Sequence, residues 1–231
     1  MAGAMADDPT PTADHRRDLI ELMTEAGVLR FGHFVTKSGR QTPYFINTGL
    51  YRTGGQIRRL GQIYARAILE EIGTDFDVLF GPAYKGIPLA VTTAVALAER
   101  GHDVAYAFNR KEVKDHGEGG ILVGHTPVDG DRVLIIEDIT TAGTAIREVV
   151  PLLRAVADIE LAGLVVSVDR RERGLDQRSA LQALAQEFAM PAFAIVTVHE
   201  IMELIELEPA TRTAMEAYLA RYGVDVEPPP G

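Results

Sequence analysis

The sequence of 231 residues contains no cysteine. This absence excludes disulfide frameworks, thiol nucleophiles and thiolate metal sites. No apolar run reaches the roughly 18 residues that a membrane-spanning helix needs. The first residues lack the basic start and apolar stretch of a signal peptide. We therefore expect a cytoplasmic protein without a membrane partner.

Positive charge is also scarce. Lysine and arginine number 23 against 33 aspartates and glutamates, which gives a net charge of −10. Such an acidic chain is a poor candidate for non-specific binding to nucleic acids or anionic membranes. We expect no nucleic-acid partner, and any anionic ligand must be bound by a local cluster of positive charge.

Length and composition favour a soluble globular protein, since 46% of the residues are hydrophobic and 24% are charged. At about 150 residues per domain, the chain has room for one large or two small domains. We predict a disordered leader over residues 1–13, a single folded domain over 14–224 and a loose tail over 225–231.

Helical and strand patterns alternate along the folded segment. Helices are predicted at 14–26, 56–72, 87–100, 144–156, 179–189, 199–206 and 209–221. Strands are predicted at 77–80, 104–108, 132–136, 159–168 and 192–198, with two extended stretches within 28–47 and no sustained period over 109–124. This alternation predicts an α/β fold with one parallel sheet and helices on both faces. Ligands of such sheets bind at the carboxyl ends of the strands.

The most informative stretch is residues 132–145, RVLIIEDITTAGTA. A buried strand leads to two acids, Glu137 and Asp138, and then to a loop of hydroxyls and glycine that opens a helix. Backbone N–H groups of such a loop can hold a phosphate, and the acids can accept hydrogen bonds from both hydroxyls of a ribose. The pattern thus predicts a ribose 5-phosphate site. A plainer interpretation is an acidic turn with Thr144 as a helix cap.

This stretch resembles the phosphoribosyl-diphosphate loop of type I phosphoribosyltransferases, with Glu137 at a position where aspartate is also common. The resemblance implies their fold, a central parallel sheet flanked by helices, with a small hood built largely from the N-terminal segment. It also implies contact with phosphoribosyl diphosphate along the whole loop, namely Glu137, Asp138, Ile139, Thr140, Thr141, Ala142, Gly143, Thr144 and Ala145.

Three further segments narrow the resemblance. They are FGPAYKGI at 80–87, KSGR with PYFIN over 37–47, and NRKEVKDHGEGG at 109–120. Together they resemble the orotate phosphoribosyltransferase family over about residues 17–223. The implied reaction moves ribose 5-phosphate from phosphoribosyl diphosphate to N1 of orotate, and yields orotidine 5′-phosphate and diphosphate in the biosynthesis of pyrimidines.

The resemblance also assigns roles to individual residues. Further contacts with phosphoribosyl diphosphate are implied for Lys37, Tyr84, Lys85, Arg110, Lys111, Lys114 and His116. Catalytic roles are implied for Arg110, Lys114, His116 and Asp138, and orotate contacts for Phe45, Ile46, Thr141 and Arg170. The cofactor is expected to be Mg²⁺, held mainly by the diphosphate and the ribose hydroxyls rather than by dedicated protein ligands. A homodimer is implied, with the loop over 109–120 reaching into the neighbouring subunit's site.

Each of these residues has a plainer explanation when it is taken alone. Lys37 could be a solvated charge, Tyr84 could pack in the core, and Arg170 could pair with Asp169 or Glu172. Two other functions are the alternatives to this interpretation. One is transfer to another base, such as a purine, against which the Arg170 region and the Lys37 turn argue. The other is regulation by a phosphoribosyl-diphosphate-binding protein that contacts nucleic acid; such a protein is expected to carry a basic face or a DNA-binding domain, and this sequence indicates neither.

Overall fold

The computed structural model describes residues 14–36, 39–112, 120–139, 142–174 and 177–224. Its helices are α1 His15–Glu25, α2 Gly54–Glu71, α3 Gly86–Ala98, α4 Thr144–Val156, α5 Ala180–Phe188, α6 Val198–Leu204 and α7 Pro209–Tyr222. Its strands are β1 Leu29–Val35, β2 Gln41–Ile46, β3 Val78–Gly81, β4 Ala105–Asn109, β5 Leu122–Gly124, β6 Arg132–Glu137, β7 Glu160–Asp169 and β8 Ala192–Thr197. A short 3₁₀ helix, Thr48–Leu50, follows β2.

The main sheet has six strands in the order β5-β4-β3-β6-β7-β8. Neighbouring strands from β4 to β8 pair in parallel, which confirms the α/β prediction. One edge strand departs from this parallel arrangement, because β5 pairs antiparallel with β4. This strand has only three residues and follows a charged, glycine-rich segment. It is therefore too short to show the alternation of polar and apolar residues by which a strand is predicted from sequence.

Burial on both faces explains why the central strands are almost continuously apolar. Strand β6 is buried from Val133 onwards, and β7 is buried from Ala162 to its end. Strands covered by helices on both sides lose the alternation of polar and apolar residues. One core cluster joins α1, α2 and α3 to one face of the sheet, and the other joins α4 and α5 to the opposite face.

Helices α2 and α3 approach each other closely at Gly61. A Cβ atom at this position would lie 2.6 Å from the carbonyl oxygen of Thr92, so only glycine fits. The helix begins with a capping box in which Thr53 Oγ1 accepts from the Gln56 N–H at 3.3 Å, and Gln56 Oε1 accepts from the Thr53 N–H at 3.1 Å. Packing against α3 and the capping box thus fix the position and the first turn of α2.

Strands β1 and β2 form a separate antiparallel hairpin. The side of β2 that carries Tyr44 packs against α7, with the Tyr44 and Tyr218 rings 6.0 Å apart. The hairpin and the 3₁₀ helix after it contact residues that follow β6 and β7, so they lie at the carboxyl edge of the sheet. This is the small hood expected from the N-terminal segment, completed here by the C-terminal helix.

None of the helices in the described part of the chain combines the length and the apolar character that crossing a bilayer requires.

Candidate active site

A cavity of about 270 Å³ opens where β3 and β6 end side by side. Its lining comprises Ala83, Tyr84, Lys85, Glu137, Asp138, Ile139, Ala142, Gly143, Thr144, Ala145 and Ile146. The structure therefore brings together two segments that are far apart in the sequence, 80–87 and 137–145. Parallel strands explain this meeting, because their carboxyl ends lie at the same edge of the sheet.

The floor of the cavity is the N-terminus of α4. Gly143 is the N-cap residue and adopts the left-handed conformation, with φ 70° and ψ 15°. Thr144 is exposed and is the first residue of the helix, so its interpretation as the capping residue was wrong. Since glycine has no side chain to cap the helix, backbone N–H groups of the first turn are left for a ligand. An anion such as phosphate is the ligand that this geometry favours.

Glu137 and Asp138 form a buried acid pair at the end of β6, with 8% and 7% of their surface exposed. The Asp138 N–H donates to Glu137 Oε1 at 3.1 Å. Lys85 Nζ lies 2.7 Å from Asp138 Oδ2, and the Thr48 hydroxyl donates to the same oxygen. The pair is thus held between the β3–α3 loop and the 3₁₀ helix that follows the hairpin.

The two acids have opposite protonation tendencies. Burial raises the pKa of Glu137 to about 8, and a hydrogen bond with Asp138 and the negative charge of that residue add to the effect. Burial also acts to raise the pKa of Asp138, but hydrogen bonds from Glu137, Lys85 and Thr48 outweigh it and hold that pKa below its usual value. Near neutral pH the pair therefore shares one proton and carries one negative charge.

The backbone beneath the acid pair is also fixed by side chains. Ser167 on β7 donates to the Asp138 carbonyl oxygen at 2.5 Å, and the Tyr64 hydroxyl on α2 donates to the Glu137 carbonyl oxygen at 2.8 Å. The Arg147 guanidinium donates to the Ala142 carbonyl oxygen further along the loop. These bonds set the direction in which the loop leaves the sheet.

Tyr84 and Lys85 both project from the β3–α3 loop into the cavity region. Tyr84 is 70% exposed, so its interpretation as a core residue was wrong. The Lys85 side chain is 58% exposed, and its ammonium group also donates to Thr48 Oγ1 at 3.0 Å. An exposed ring and an ammonium group beside the helix N-terminus are available to a ligand in this cavity.

Two residues expected near the orotate ring differ in their surroundings. Phe45 is half-buried and stacks on Phe34, with ring centroids 5.4 Å apart. Ile46 is 9% exposed and belongs to the hydrophobic core. A ring bound here would therefore contact Phe45 with its face, while Ile46 offers mainly its backbone.

Arg170 directly follows β7 and pairs with Glu172, as one of the plainer explanations expected. Its Nε and Nη2 atoms lie 2.9 and 2.6 Å from Glu172 Oε1, while Asp169 pairs with Arg171 instead. The guanidinium group also lies over the Tyr44 ring, 4.8 Å from its centroid. Three of its five N–H groups remain outside the bonds to Glu172, so pairing does not preclude ligand binding.

Two described residues that the sequence implicated, Arg110 and Lys111, do not line this cavity. Arg110 Nη1 donates to the Gly120 carbonyl oxygen at 3.0 Å, and Lys111 Nζ lies 3.8 Å from Glu148 Oε2 on α4. Five further candidates lie outside the described residues, namely Lys37, Lys114, His116, Thr140 and Thr141. The roles of all seven stay predictions.

Sequence reasoning missed Thr48, Tyr64 and Ser167, which bind the acid pair or its backbone. Each lies on an element distant in sequence from Glu137. Hydroxyl residues of this kind are common and carry no local motif. Only the packing of α2, β7 and the hairpin against β6 brings them to the site.

The sequence matches the family described as "Phosphoribosyl transferase domain" over residues 50–196. The fold, with the loop that joins β6 to α4, is thus that of a type I phosphoribosyltransferase. A solved structure of adenine phosphoribosyltransferase from Saccharomyces cerevisiae shares this fold, with a TM-score of 0.53 and 17% identity, and covers 76% of this chain and 98% of that one. The fold alone therefore does not decide which base is used.

Relatives with higher sequence identity show which base this family uses. Orotate phosphoribosyltransferase of Lachnoclostridium phytofermentans is 50% identical over 221 residues, which is 91% of this chain and 98% of the relative. The crystal structure of the Francisella tularensis orotate phosphoribosyltransferase has a TM-score of 0.79 and 38% identity, and covers 88% of this chain and 98% of that one. The chain belongs to the orotate phosphoribosyltransferase family. The alternatives of a purine transferase and of a nucleic-acid-binding regulator are therefore not retained.

Proposed function

We propose that this orotate phosphoribosyltransferase of pyrimidine biosynthesis binds phosphoribosyl diphosphate across the ends of β3 and β6, and orotate beside Arg170. The observation that carries the proposal is the acid pair Glu137 and Asp138, buried next to an uncapped helix N-terminus and bridged to Lys85. This arrangement matches a ribose diol with a phosphate on one side and a diphosphate on the other.

The 5′-phosphate would lie over Gly143 and the first turn of α4. There its oxygens would accept hydrogen bonds from backbone N–H groups and from the Thr144 hydroxyl. The helix dipole would favour its negative charge. The ribose hydroxyls would donate to carboxyl oxygens of the acid pair, Glu137 and Asp138, which still accept hydrogen bonds while the pair shares one proton. To reach Asp138 they must replace or share the bonds that Thr48 and Lys85 make to it in the free protein.

The leaving diphosphate needs more positive charge than the described cavity provides. Its lining contains one cation, Lys85, which already faces Asp138. We propose that Arg110, Lys111, Lys114 and His116 supply the rest when the loop over 109–120 closes. Closure would also exclude water from the donor. As the bond from N1 of orotate to ribose C1 forms, the C1–O bond would break and its electron pair would leave with the diphosphate. The proton of N1 would be released at the same time and be taken up by the departing diphosphate or by solvent.

Orotate would be recognised through its carboxylate. The planar guanidinium of Arg170 suits a carboxylate in two parallel hydrogen bonds, whereas uracil offers no such group. Phe45 would contact the ring, together with the backbone of Ile46. Thr141 and Lys37 complete the set that we expect to surround the two substrates.

We further propose that the enzyme uses Mg²⁺. Glu137 and Asp138 offer hard oxygen ligands, and no group of three or more histidine, aspartate or glutamate side chains forms a metal cage within the described residues. This donor set fits an ion held mainly by the diphosphate, the ribose hydroxyls and water. When bound, Mg²⁺ supplies neutralisation of the developing charge on the diphosphate.

The test of this function is the loss of orotate absorbance on mixing with phosphoribosyl diphosphate, with Mg²⁺ or with a chelator. We expect consumption of orotate with Mg²⁺ and none with the chelator. Uracil, adenine and hypoxanthine in place of orotate should react far more slowly. Binding of the donor without consumption of orotate would refute the proposal.

We propose a homodimer in which the loop over 109–120 serves the site of the neighbouring subunit. A mixture of Lys114→Ala and Asp138→Asn subunits, each inactive alone, tests this arrangement. In a mixed dimer one site then has both an intact loop and an intact acid pair, so random mixing should restore about a quarter of wild-type activity. No recovery in a mixture shown to exchange subunits would mean that each loop serves its own site.

We also propose that residues 14–224 form one domain between a leader and a tail, and that the enzyme acts in the cytoplasm. The main sheet, which both core clusters share, supports the prediction of one domain. Limited proteolysis should leave a resistant fragment close to 14–224. Both substrates are charged and cross membranes poorly, which supports the location, and cell fractionation tests it.

A further inference from the structure

Glu172 collects hydrogen bonds from four side chains. Its Oε1 atom accepts from Arg170 Nε and Nη2 at 2.9 and 2.6 Å, from the Tyr44 hydroxyl at 3.1 Å and from the Tyr218 hydroxyl at 2.9 Å. Its Oε2 atom accepts from Arg40 Nη1 at 3.2 Å. Charge-assisted bonds to guanidinium groups are among the stronger hydrogen bonds in proteins. The Glu172 carboxylate is thus the common hydrogen-bond acceptor of these four side chains.

The four partners come from three separate parts of the fold. Arg40 and Tyr44 belong to the hairpin region, Arg170 follows β7, and Tyr218 lies on α7. Ring contacts reinforce the assembly, because Arg170 lies over the Tyr44 ring and Arg40 lies 4.4 Å from the centroid of the Tyr222 ring. Glu172 therefore ties the N-terminal hood and the C-terminal helix to the edge of the sheet.

The same contacts fix the orientation of the Arg170 guanidinium. Glu172 binds one edge through Nε and Nη2, and the Tyr44 ring covers one face. The Arg170 side chain is 14% exposed, so little freedom remains. We propose that Glu172 is a positioning residue for orotate, which holds Arg170 so that its remaining N–H groups face the substrate carboxylate. This inference rests on the proposed role of Arg170.

The charges of this cluster show in which direction orotate affinity should change when Glu172 is neutralised. Two guanidinium groups, Arg40 and Arg170, face one carboxylate, Glu172, and burial raises the pKa of Tyr44 so that this hydroxyl stays neutral. The cluster keeps one positive charge, which matches one substrate carboxylate. Coulomb's law alone predicts that loss of the Glu172 charge tightens orotate binding. Positioning predicts the opposite, because Arg170 loses the bonds that orient it.

The first test is Glu172→Gln in the full chain, with kcat and both KM values measured by orotate absorbance. Glutamine keeps the size of the side chain but removes its charge. Its amide N–H group also faces one of the hydrogen-bond donors that Glu172 accepts from, so at least one of those hydrogen bonds is lost. We expect the KM for orotate to rise about tenfold, while the KM for phosphoribosyl diphosphate changes less than twofold. Glu25→Gln removes a carboxylate from another arginine pair, Arg59–Glu25, and should change neither value. Tighter orotate binding, or equal rises in both KM values, would overturn the proposal.

A double-mutant cycle separates this inference from the proposed function. Arg170→Met should itself raise the KM for orotate, and Glu172→Gln should add almost nothing in that background. If Arg170→Met has no effect, the role of Arg170 fails. If Arg170→Met weakens orotate binding but the two changes add in full, the positioning role of Glu172 fails.

A second, smaller substitution tests the same proposal if Glu172→Gln does not fold. Tyr218→Phe keeps the carboxylate and removes one hydroxyl donor from it. We expect a rise of about two- to fivefold in the KM for orotate, with no change for phosphoribosyl diphosphate. An unchanged KM for orotate in this folded variant would count against the proposal.

Discussion

The buried acid pair makes stability depend on pH in a way that one substitution should abolish. Glu137 binds its proton more tightly in the folded protein than in the unfolded chain, because burial raises its pKa from 4.5 to about 8. Wherever the folded state binds more protons, the free energy of unfolding falls as pH rises. The fall should thus run from about pH 4.5 to about pH 8. Glu137→Gln keeps a neutral side chain at all these pH values.

The size of the effect follows from the shift. Each unit of pKa difference corresponds to about 1.4 kcal/mol, so wild-type protein should lose about 2–3 kcal/mol relative to the variant between pH 6 and pH 8. The Asp138 N–H can still donate to the amide oxygen of the glutamine, and the amide N–H can take the place of the carboxyl proton. The variant therefore imitates protonated Glu137, and it should be the more stable protein from about pH 6 upwards.

Urea unfolding of both proteins at pH 6, 7 and 8, followed by circular dichroism, measures this difference. Groups that titrate in both proteins cancel when the two profiles are subtracted. Glu25→Gln changes a carboxylate whose side chain is 62% exposed and should follow wild type at every pH. Parallel profiles for wild type and Glu137→Gln would refute the conclusion that burial keeps Glu137 protonated.

Three further substitutions, with Gly130→Ala as the control for Gly143→Ala, test the proposed binding of phosphoribosyl diphosphate. Lys85→Met should lower kcat/KM for this substrate about 100-fold in steady-state assays, since it removes the cation bound to Asp138. Gly143→Ala places a Cβ atom 2.9 Å from Leu184 at a φ of +70°, and should raise the KM about tenfold. Gly130→Ala, at a φ of +89° with no atom within 4 Å, should lower stability by about 1–2 kcal/mol in urea without changing the KM. Lys114→Ala should lower kcat far more than donor affinity in paired rate and binding measurements; equal losses would contradict a role in the transition state.

Most of the fold followed from sequence patterns because they are repeated and local. The apolar run before Glu137 and the spacing of apolar residues in α2 identify their elements without tertiary information. The edge strand β5 could not be found in this way. Its three residues gain their structure from pairing with β4, and its neighbours in the chain contribute no periodic pattern.

The candidate site was predictable where one continuous segment builds it. The loop over 137–145 combines acids, hydroxyls and glycine in an order that fits one ligand, and the cavity is lined by its described residues. The network around Glu172 was not predictable to the same extent. The sequence allowed a pair between Arg170 and Glu172, but the contributions of Tyr44 and Tyr218 depend on the hairpin and α7 meeting at the sheet edge.

The difference between the two acids was also beyond the reach of sequence reasoning. Glu137 and Asp138 are adjacent in the chain, and nothing local distinguishes their affinity for a proton. The distinction comes from Lys85 and Thr48, which both bind Asp138 and are supplied by other elements. Charge state in a buried pair is therefore a property of the assembled site.

The most direct test of the central claim is a crystal structure of the protein with phosphoribosyl diphosphate and Mg²⁺. We predict that the 5′-phosphate accepts hydrogen bonds from backbone N–H groups at Gly143 to Ala145, with both ribose hydroxyls on Glu137 and Asp138. A phosphoribosyl group bound elsewhere, for example with its phosphate on Arg40 and Arg170, would contradict the account.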